Sequence, residues 1–299
     1  MRFVNYSPRH LRLYLVCSAL VLFSAGILLK TSGSLAAAGL RLSALRTAAT
    51  QTAGTDGDQN WDPFYNIPGP DGAITALGVS GDDVYVGGRF RNIGGQPFSG
   101  IARYNLTSRT WSALAGGLAA LNSGDNTLPN AIAVRGDDVY VGGNFRAVRN
   151  DANSVLPVGG VARWNKAANT WSALGGGAGQ NGVEGDVRAL AVLGNDVYVG
   201  GQFLNVFNGA QRLTASGVAR WDTAANTWSV LGTDGQSNTG NGVGFPPATP
   251  GETFFTAVNS LAVIGSDLYV GGAFRRAFSG PATSVSANNV ARWNTQTST

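Results

Sequence analysis

One phrase recurs four times in this chain and constrains its fold more than any other feature. Each copy contains an apolar run ending in Gly-Gly-x-Phe, followed by Ala-Arg and an aromatic residue, and in three copies by a tryptophan seven positions later. Self-similarity with constant order is typical of proteins built from repeated structural units. The positions that build the repeat are Gly87, Gly88, Tyr104, Trp111, Gly142, Gly143, Trp164, Trp171, Gly200, Gly201, Trp221, Trp228, Gly271, Gly272 and Trp293.

Each copy divides into four short segments with the composition of β-strands. In the second copy these segments span 131–134, 139–143, 161–165 and 170–174, and they are bounded by Gly, Asn or Asp. No segment outside the N-terminus shows a helical period. Because four antiparallel strands form one propeller blade, we predict an all-β fold, a β-propeller of about four blades.

The connections between these segments differ in how much their length varies. The first and second segments are joined by Gly-Asp-Asp or a close variant, because Gly, Asn and Asp tolerate the positive φ of tight turns. The loops after the phenylalanine vary widely, and the longest loop between copies spans 232–257. In a four-stranded meander these variable loops share one face. We therefore expect binding on that long-loop face.

The N-terminal residues are typical of an export segment. Three arginines precede an uncharged, mostly apolar run over 13–29, and a small-residue cleavage pattern follows. The sequence predicts a secreted or cell-surface protein that touches a membrane only if this segment is uncleaved. The predicted organisation is a signal peptide or membrane anchor over 1–38, a flexible linker over 39–60 and a propeller over 61–299.

Composition excludes several classes of function. The net charge of +4 equals the four basic residues within 1–38, which leaves 17 basic and 17 acidic side chains and no nucleic-acid surface. The single histidine, His10, and the single cysteine, Cys17, both lie in the same segment. The repeats therefore lack residues for histidine or thiol catalysis and for imidazole or thiolate metal sites. We predict no metal, no cofactor and no enzymatic activity.

The wording of the repeat resembles a known family. A double glycine, an aromatic residue and a tryptophan seven positions later, as in "WDTAANTWSVL" at 221–231, is similar to a kelch repeat. The "VYVGGxF…ARWN" wording resembles secreted bacterial propellers and the fungal cortical cell-polarity marker family. The resemblance implies a propeller over roughly 61–299 and leaves function open, because such propellers serve as enzymes, adaptors and glycan binders. Galactose-oxidase-like enzymes share this propeller type, but their copper ligands are absent here.

The strand count leaves two ways to complete the fold. The fourth copy lacks its second tryptophan, whereas Trp61 stands ahead of the first copy, where a fourth strand would lie. If 60–65 is that strand, it closes the last blade and gives four blades without exposed edges. The alternative is that the chain is a fragment of a longer array.

The polar residues common to all copies are expected to build the blade. We interpret the aspartate of each first turn as a hairpin residue rather than a calcium or glycan ligand. The repeated arginine is expected to bridge carboxylates or loop carbonyls, and the tryptophans to form the core between blades rather than sugar platforms. The aspartates are Asp83, Asp138, Asp196 and Asp267, and the arginines are Arg103, Arg163, Arg220 and Arg292.

Positions that break the repeat are the better candidates for a binding site, because shared packing does not explain them. We expect a glycan, peptide or protein ligand there. Two alternatives remain: a carboxylate-dependent glycan-active enzyme using Glu184 or Glu252, or a purely architectural segment of a larger surface protein. The candidate binding residues are Arg89, Arg91, Asn144, Arg146, Gln202, Arg212 and Arg275, with Arg149, Asp151 and Arg276 in the same loops.

Overall fold

The computed structural model describes residues 69–175, 182–232, 241–244, 256–280 and 283–297. These ranges contain β-strands and no helix, so the all-β prediction is confirmed. Within them, no helix has the length and apolar character that crossing a membrane requires. The predicted export segment, the linker, Glu252 and the strand at 60–65 lie outside the described residues.

The described strands follow the four copies of the phrase. They are β1 (Ile74–Ser80), β2 (Asp83–Gly88), β3 (Asn92–Ile93), β4 (Gln96–Pro97), β5 (Ile101–Asn105), β6 (Thr110–Ser112), β7 (Leu118–Ala119), β8 (Thr127–Arg135), β9 (Asp138–Phe145), β10 (Ala147–Arg149), β11 (Val155–Pro157), β12 (Val161–Asn165), β13 (Thr170–Ala173), β14 (Gly182–Leu193), β15 (Asp196–Asn208), β16 (Gln211–Thr214), β17 (Val218–Asp222), β18 (Thr227–Val230), β19 (Asn241–Gly244), β20 (Ala257–Ile264), β21 (Asp267–Ala273), β22 (Arg276–Gly280), β23 (Thr283–Ser286) and β24 (Val290–Asn294).

Each copy folds as an antiparallel meander, which we call a unit. The first unit is β1-β2-β5-β6, the second β8-β9-β12-β13 and the third β14-β15-β17-β18, while β20-β21-β24 are described for the fourth. The two short turns of a unit lie together: in the first, the Leu106 amide donates to the Asp82 carbonyl at 2.8 Å. No closed ring of sheets is found among the described residues.

The variable loops contain strands of their own. In the first unit β3 pairs with β4, and in the second unit the loop strands β10 and β11 pair. The connection that leaves the first unit supplies β7, which pairs with β10 of the second. In the same way β19 pairs with β22 of the fourth unit. Loops that begin in one unit therefore attach to the next.

In the first three units, the first glycine of the pair provides space for the next unit. A Cβ on Gly142 would lie 2.4 Å from Val187 Cγ1, a side chain of β14. The same clash would occur at Gly87 against Pro129 and at Gly200 against Val258. Any larger residue would therefore push the neighbouring sheet away.

The second glycine of each pair is required for a different reason, which lies within its own unit. A Cβ on Gly143 would lie 2.1 Å from the carbonyl oxygen of Leu128, on the paired strand β8. The register of that pair shifts between Pro129 and Ala131, which marks a β-bulge at Asn130. A Cβ on Gly88, Gly201 or Gly272 would also lie 2.1 Å from a carbonyl oxygen of the paired strand or the residue before it. The double glycine thus answers one constraint between units and one within a unit.

The core lies between units rather than inside one sheet. Between the second and third units, Tyr140 and Leu174 from one side pack with Phe203 and Trp228 from the other, and all four are buried. The indole Nε1 of Trp228 donates to the Leu174 carbonyl at 3.0 Å. The Nε1 of Trp171 donates in the same way to the Leu114 carbonyl of the preceding unit at 2.8 Å. The tryptophan of one "TWSxL" segment is thus hydrogen-bonded to the leucine of the segment before it.

The first unit lacks this cover on its outer face. Leu77 and Val79 are 62% and 66% exposed, whereas their equivalents in the second unit, Ile132 and Val134, pack into the core between units. The buried Nε1 of Trp111 has no hydrogen-bond partner among the described residues. On the fourth unit, Val290 is 59% exposed on the strand that would meet a following unit.

We predict that Gly142→Ala lowers the free energy of unfolding by about 1–3 kcal/mol, because the new methyl group overpacks against Val187. Val187→Ala makes room for that methyl group, so the double variant should lose less than the sum of the single losses. Urea unfolding of the four proteins measures this coupling.

Gly136→Ala is the control, because its Cβ would meet nothing within 4 Å. That variant should cost about 1 kcal/mol, from the positive φ of a turn. Its cost should add to that of Val187→Ala. Additive losses at Gly142 as well would contradict the packing described here.

Candidate functional site

Two adjoining cavities open among the loops of the first and second units. The larger measures about 500 Å³ and the smaller about 320 Å³, and both are lined by Phe90, Arg91 and Thr127. We call the pair the loop-face cleft. Its walls are the loop after β2, the connection from β6 to β8, and Arg149 of β10. These are the variable connections that sequence analysis placed on one face.

Hydrogen bonds to Asp71 fix the wall that carries Arg91. The Asp71 carboxylate accepts from the backbone amide of Arg91 at 2.8 Å and from that of Asn92 at 3.1 Å. These bonds, the Arg91 amide first, lower the pKa of the Asp71 carboxyl. Below this wall Ile93 and Phe98 are buried, so the loop is anchored from both sides.

The loop-face cleft carries an excess of positive charge. Arg89, Arg91 and Arg149 line it, and none of them forms an ion pair within the described part of the chain. The buried Nε of Arg149 also lacks a hydrogen-bond partner there. One carboxylate lines the cleft, that of Asp125, and it accepts from two backbone amides, including that of Asn122 at 2.8 Å.

The structure brings together only part of the predicted set. Arg89, Arg91 and Arg149 share the loop-face cleft. Five other predicted residues are exposed and do not line it, and they are Asn144, Arg146, Asp151, Arg212 and Arg275. Arg276 donates to Ser284 at 2.9 Å, and exposed Glu184 accepts from Asn205 at 2.6 Å.

Gln202 belongs to a second polar cluster that sequence analysis missed. Its side-chain oxygen accepts from Arg188 Nη2 at 2.7 Å, and Arg188 Nη1 donates to Asn259 at 2.9 Å. Asp186 lies 3.3 Å from Arg188 and accepts from Asn130 at 3.0 Å. The cluster therefore joins the second, third and fourth units.

A repeated signal in the sequence could have located this cluster. In every unit the second glycine faces a β-bulge on the first strand, and the bulged residue is polar. Bulges re-aim a side chain, which here reaches toward the next unit. The bulged residues are Thr75, Asn130, Arg188 and Asn259.

The repeated aspartates and arginines contact each other inside each unit. In the second unit Arg163 Nη1 lies 3.9 Å from Asp138 Oδ2, and Arg163 Nε donates to Ser172 at 3.1 Å. Asn165 donates to the same carboxylate at 2.8 Å. The described residues contain no cluster of three or more His, Cys, Asp or Glu suited to a metal ion. The repeated aspartates and arginines, with the asparagine beside them, hold the turns of each unit together.

The third unit departs from this arrangement. Asp222 stands where the other units have an asparagine, directly opposite Asp196 on the paired strand. Burial first, then the charge of Asp222, raises the pKa of the Asp196 carboxyl, and Arg220 at 3.5 Å offsets part of this effect. The unit therefore contains a like-charged pair.

No protein-family model and no curated protein matches the chain. Among solved structures, the computationally designed Ika4 protein is similar at 15% identity and a TM-score of 0.40, over 76% of this chain and 94% of that one. The designed Ika8 protein has 15% identity and a TM-score of 0.34, over 76% and 60%. The extracellular domain of a B. thetaiotaomicron protein has 16% identity and a TM-score of 0.36, over 67% and 20%.

We predict that Asp222→Asn raises the Tm at pH 7 by about 2 °C, because an amide at 222 replaces repulsion with a donor to Asp196. With its folded-state pKa raised, charged Asp196 costs stability above that pKa, and the cost disappears as the pH falls through it. The gain should therefore shrink in acid, as measured by thermal unfolding from pH 7 to pH 3.

Asn165→Asp is the reciprocal control, since it creates the same carboxylate pair in the second unit. It should lower the Tm at pH 7. A destabilised Asp222→Asn protein, or a gain that persists in acid, would contradict this account of the third unit.

Proposed function

We propose that this chain is a non-catalytic binding module of the kelch-type propeller class, acting outside the cytoplasm after export by its N-terminal segment. Three features support the proposal. The units pack in series through one repeated interface, the variable connections gather into a cleft, and the residues that break the repeat include three that line it, Arg89, Arg91 and Arg149. A rigid scaffold that presents variable loops is the usual design of a binding protein.

The single observation that carries the proposal is the loop-face cleft. Its wall is held by Asp71, and its floor of Phe90, Phe98 and Leu118 is buried and therefore fixed. A preformed cleft loses little conformational entropy on binding.

The test fills the cleft and reads out binding on an array of soluble glycans and peptides. Thr127→Trp places a bulky ring on an exposed cleft position, so every wild-type signal should fall below about one tenth. Leu106→Trp is the matched control, because Leu106 is 40% exposed at the short-turn end. Unchanged binding in Thr127→Trp, or equal losses in both variants, would overturn the loop-face proposal.

A turnover assay on any glycan that binds separates binding from catalysis. We expect none. Turnover that disappears in Glu184→Gln would contradict the non-catalytic proposal and favour the carboxylate enzyme. The carboxylate of Glu184 is exposed and contacts Asn205, so this variant should fold normally.

We further propose that the ring of units closes through the same interface. The outer face of the first unit presents the apolar side chains of Leu77 and Val79. The fourth unit presents Tyr269, Gly271 and Val290, and the equivalent residues of the other units pack against the first strand of the following unit. The outer faces of the first and fourth units are therefore complementary, which supports a closed propeller in which every sheet has a neighbour on both faces.

Closure predicts that Leu77→Lys lowers the free energy of unfolding by about 1–3 kcal/mol despite the exposure of Leu77. Leu204→Lys is the control, because Leu204 is 61% exposed on a loop strand and should tolerate lysine. Urea unfolding at two protein concentrations measures both. Equal, small effects would contradict closure, and a loss that depends on protein concentration would indicate contact between copies instead.

A further inference from the structure

The arginines of the loop-face cleft specify the charge of the ligand. Arg89, Arg91 and Arg149 line two cavities that share a wall, and none of the three forms an ion pair with a carboxylate among the described residues. The repeat does not require them: the arginine that every unit shares pairs with its own aspartate instead. Three arginines against the one carboxylate of Asp125 leave the cleft with a net positive charge, and a positively charged concave surface concentrates anionic ligands.

Arg149 reaches the cleft from a fixed backbone and carries a donor that is unpaired among the described residues. Its backbone is held on both sides, since its amide donates to Gly117 at 2.9 Å and its carbonyl accepts from Gly116 at 2.8 Å. Its side-chain Nε is nevertheless buried without a partner. A buried donor without a partner costs stability, and a planar guanidinium satisfies its donors best by binding a carboxylate with two parallel bonds.

The other groups that line the cleft favour a ligand rich in hydroxyls. Four exposed side chains that can donate or accept stand between the arginines, and they are Asn92, Ser99, Asn126 and Thr127. The aromatic rings of Phe90 and Phe98 are only 4% and 8% exposed, so they form floor rather than an apolar pocket for peptide side chains. Amides and hydroxyls beside arginines match a sugar that carries a carboxylate.

We propose that the loop-face cleft binds uronic-acid-containing polysaccharides, with Arg91 and Arg149 on carboxylates and the neighbouring amides and hydroxyls on sugar hydroxyls. The inference rests on the proposed function, because it assigns a ligand class to the same cleft.

The experiment titrates the full chain with trigalacturonate and with its methyl ester, which keeps the sugar and removes the charge. We expect the acid to bind at least about tenfold more tightly than the ester. Arg91→Gln and Arg149→Gln should each weaken the acid about tenfold and leave the ester unchanged. Arg146→Gln and Arg212→Gln, at exposed arginines outside the cleft, should change neither.

The outcomes separate this inference from the proposed function. Equal affinity for acid and ester, or tighter binding of an oligoglutamate peptide than of trigalacturonate, would overturn the uronate inference. The function would still stand if Thr127→Trp abolishes the binding seen on the array. Equal losses in Arg146→Gln and Arg91→Gln would show that general surface charge attracts the acid, and this too would overturn the inference.

Discussion

The close approach of neighbouring units at the first glycine is the constraint on which the rest of the structure depends. Without a side chain at Gly142, the first strand of the next unit lies directly on the sheet, with Val187 filling the space. The same approach places Trp228 where its indole reaches the Leu174 carbonyl. Since each unit covers the last, the scaffold gains its core by stacking.

The sequence was sufficient for the repeated strands of each unit, their order and the side on which the variable loops lie, because period and turn chemistry are local. It did not reveal that the two glycines serve different purposes, since one depends on a neighbouring unit and the other on a bulge. The cluster around Arg188 was also missed. A bulge changes the direction of a side chain without changing the apparent strand pattern.

The candidate site was predicted only in part for a related reason. Sequence divergence within the repeat located Arg89 and Arg91, but it equally selected Asn144, Arg146 and Arg212, which do not line the cleft. Which of these side chains share a cleft depends on how β3, β4 and β10 fold, and these short strands follow no repeat. The constant residues build the interface between units, and some of the residues that depart from the repeat line the candidate site.

Ionisation of Tyr198 tests the central claim, that the core lies between units, most directly. This side chain is 1% exposed between the third and fourth units, and burial first, then the charge of Asp196, raises its pKa to about 12. Because the folded state holds this proton, the stability it contributes is present below pH 10 and is lost as the pH rises toward 12. The difference in phenolate absorbance between the wild type and Tyr198→Phe reports this one group. The account predicts ionisation near pH 12, and ionisation near pH 10 in folded protein would contradict it.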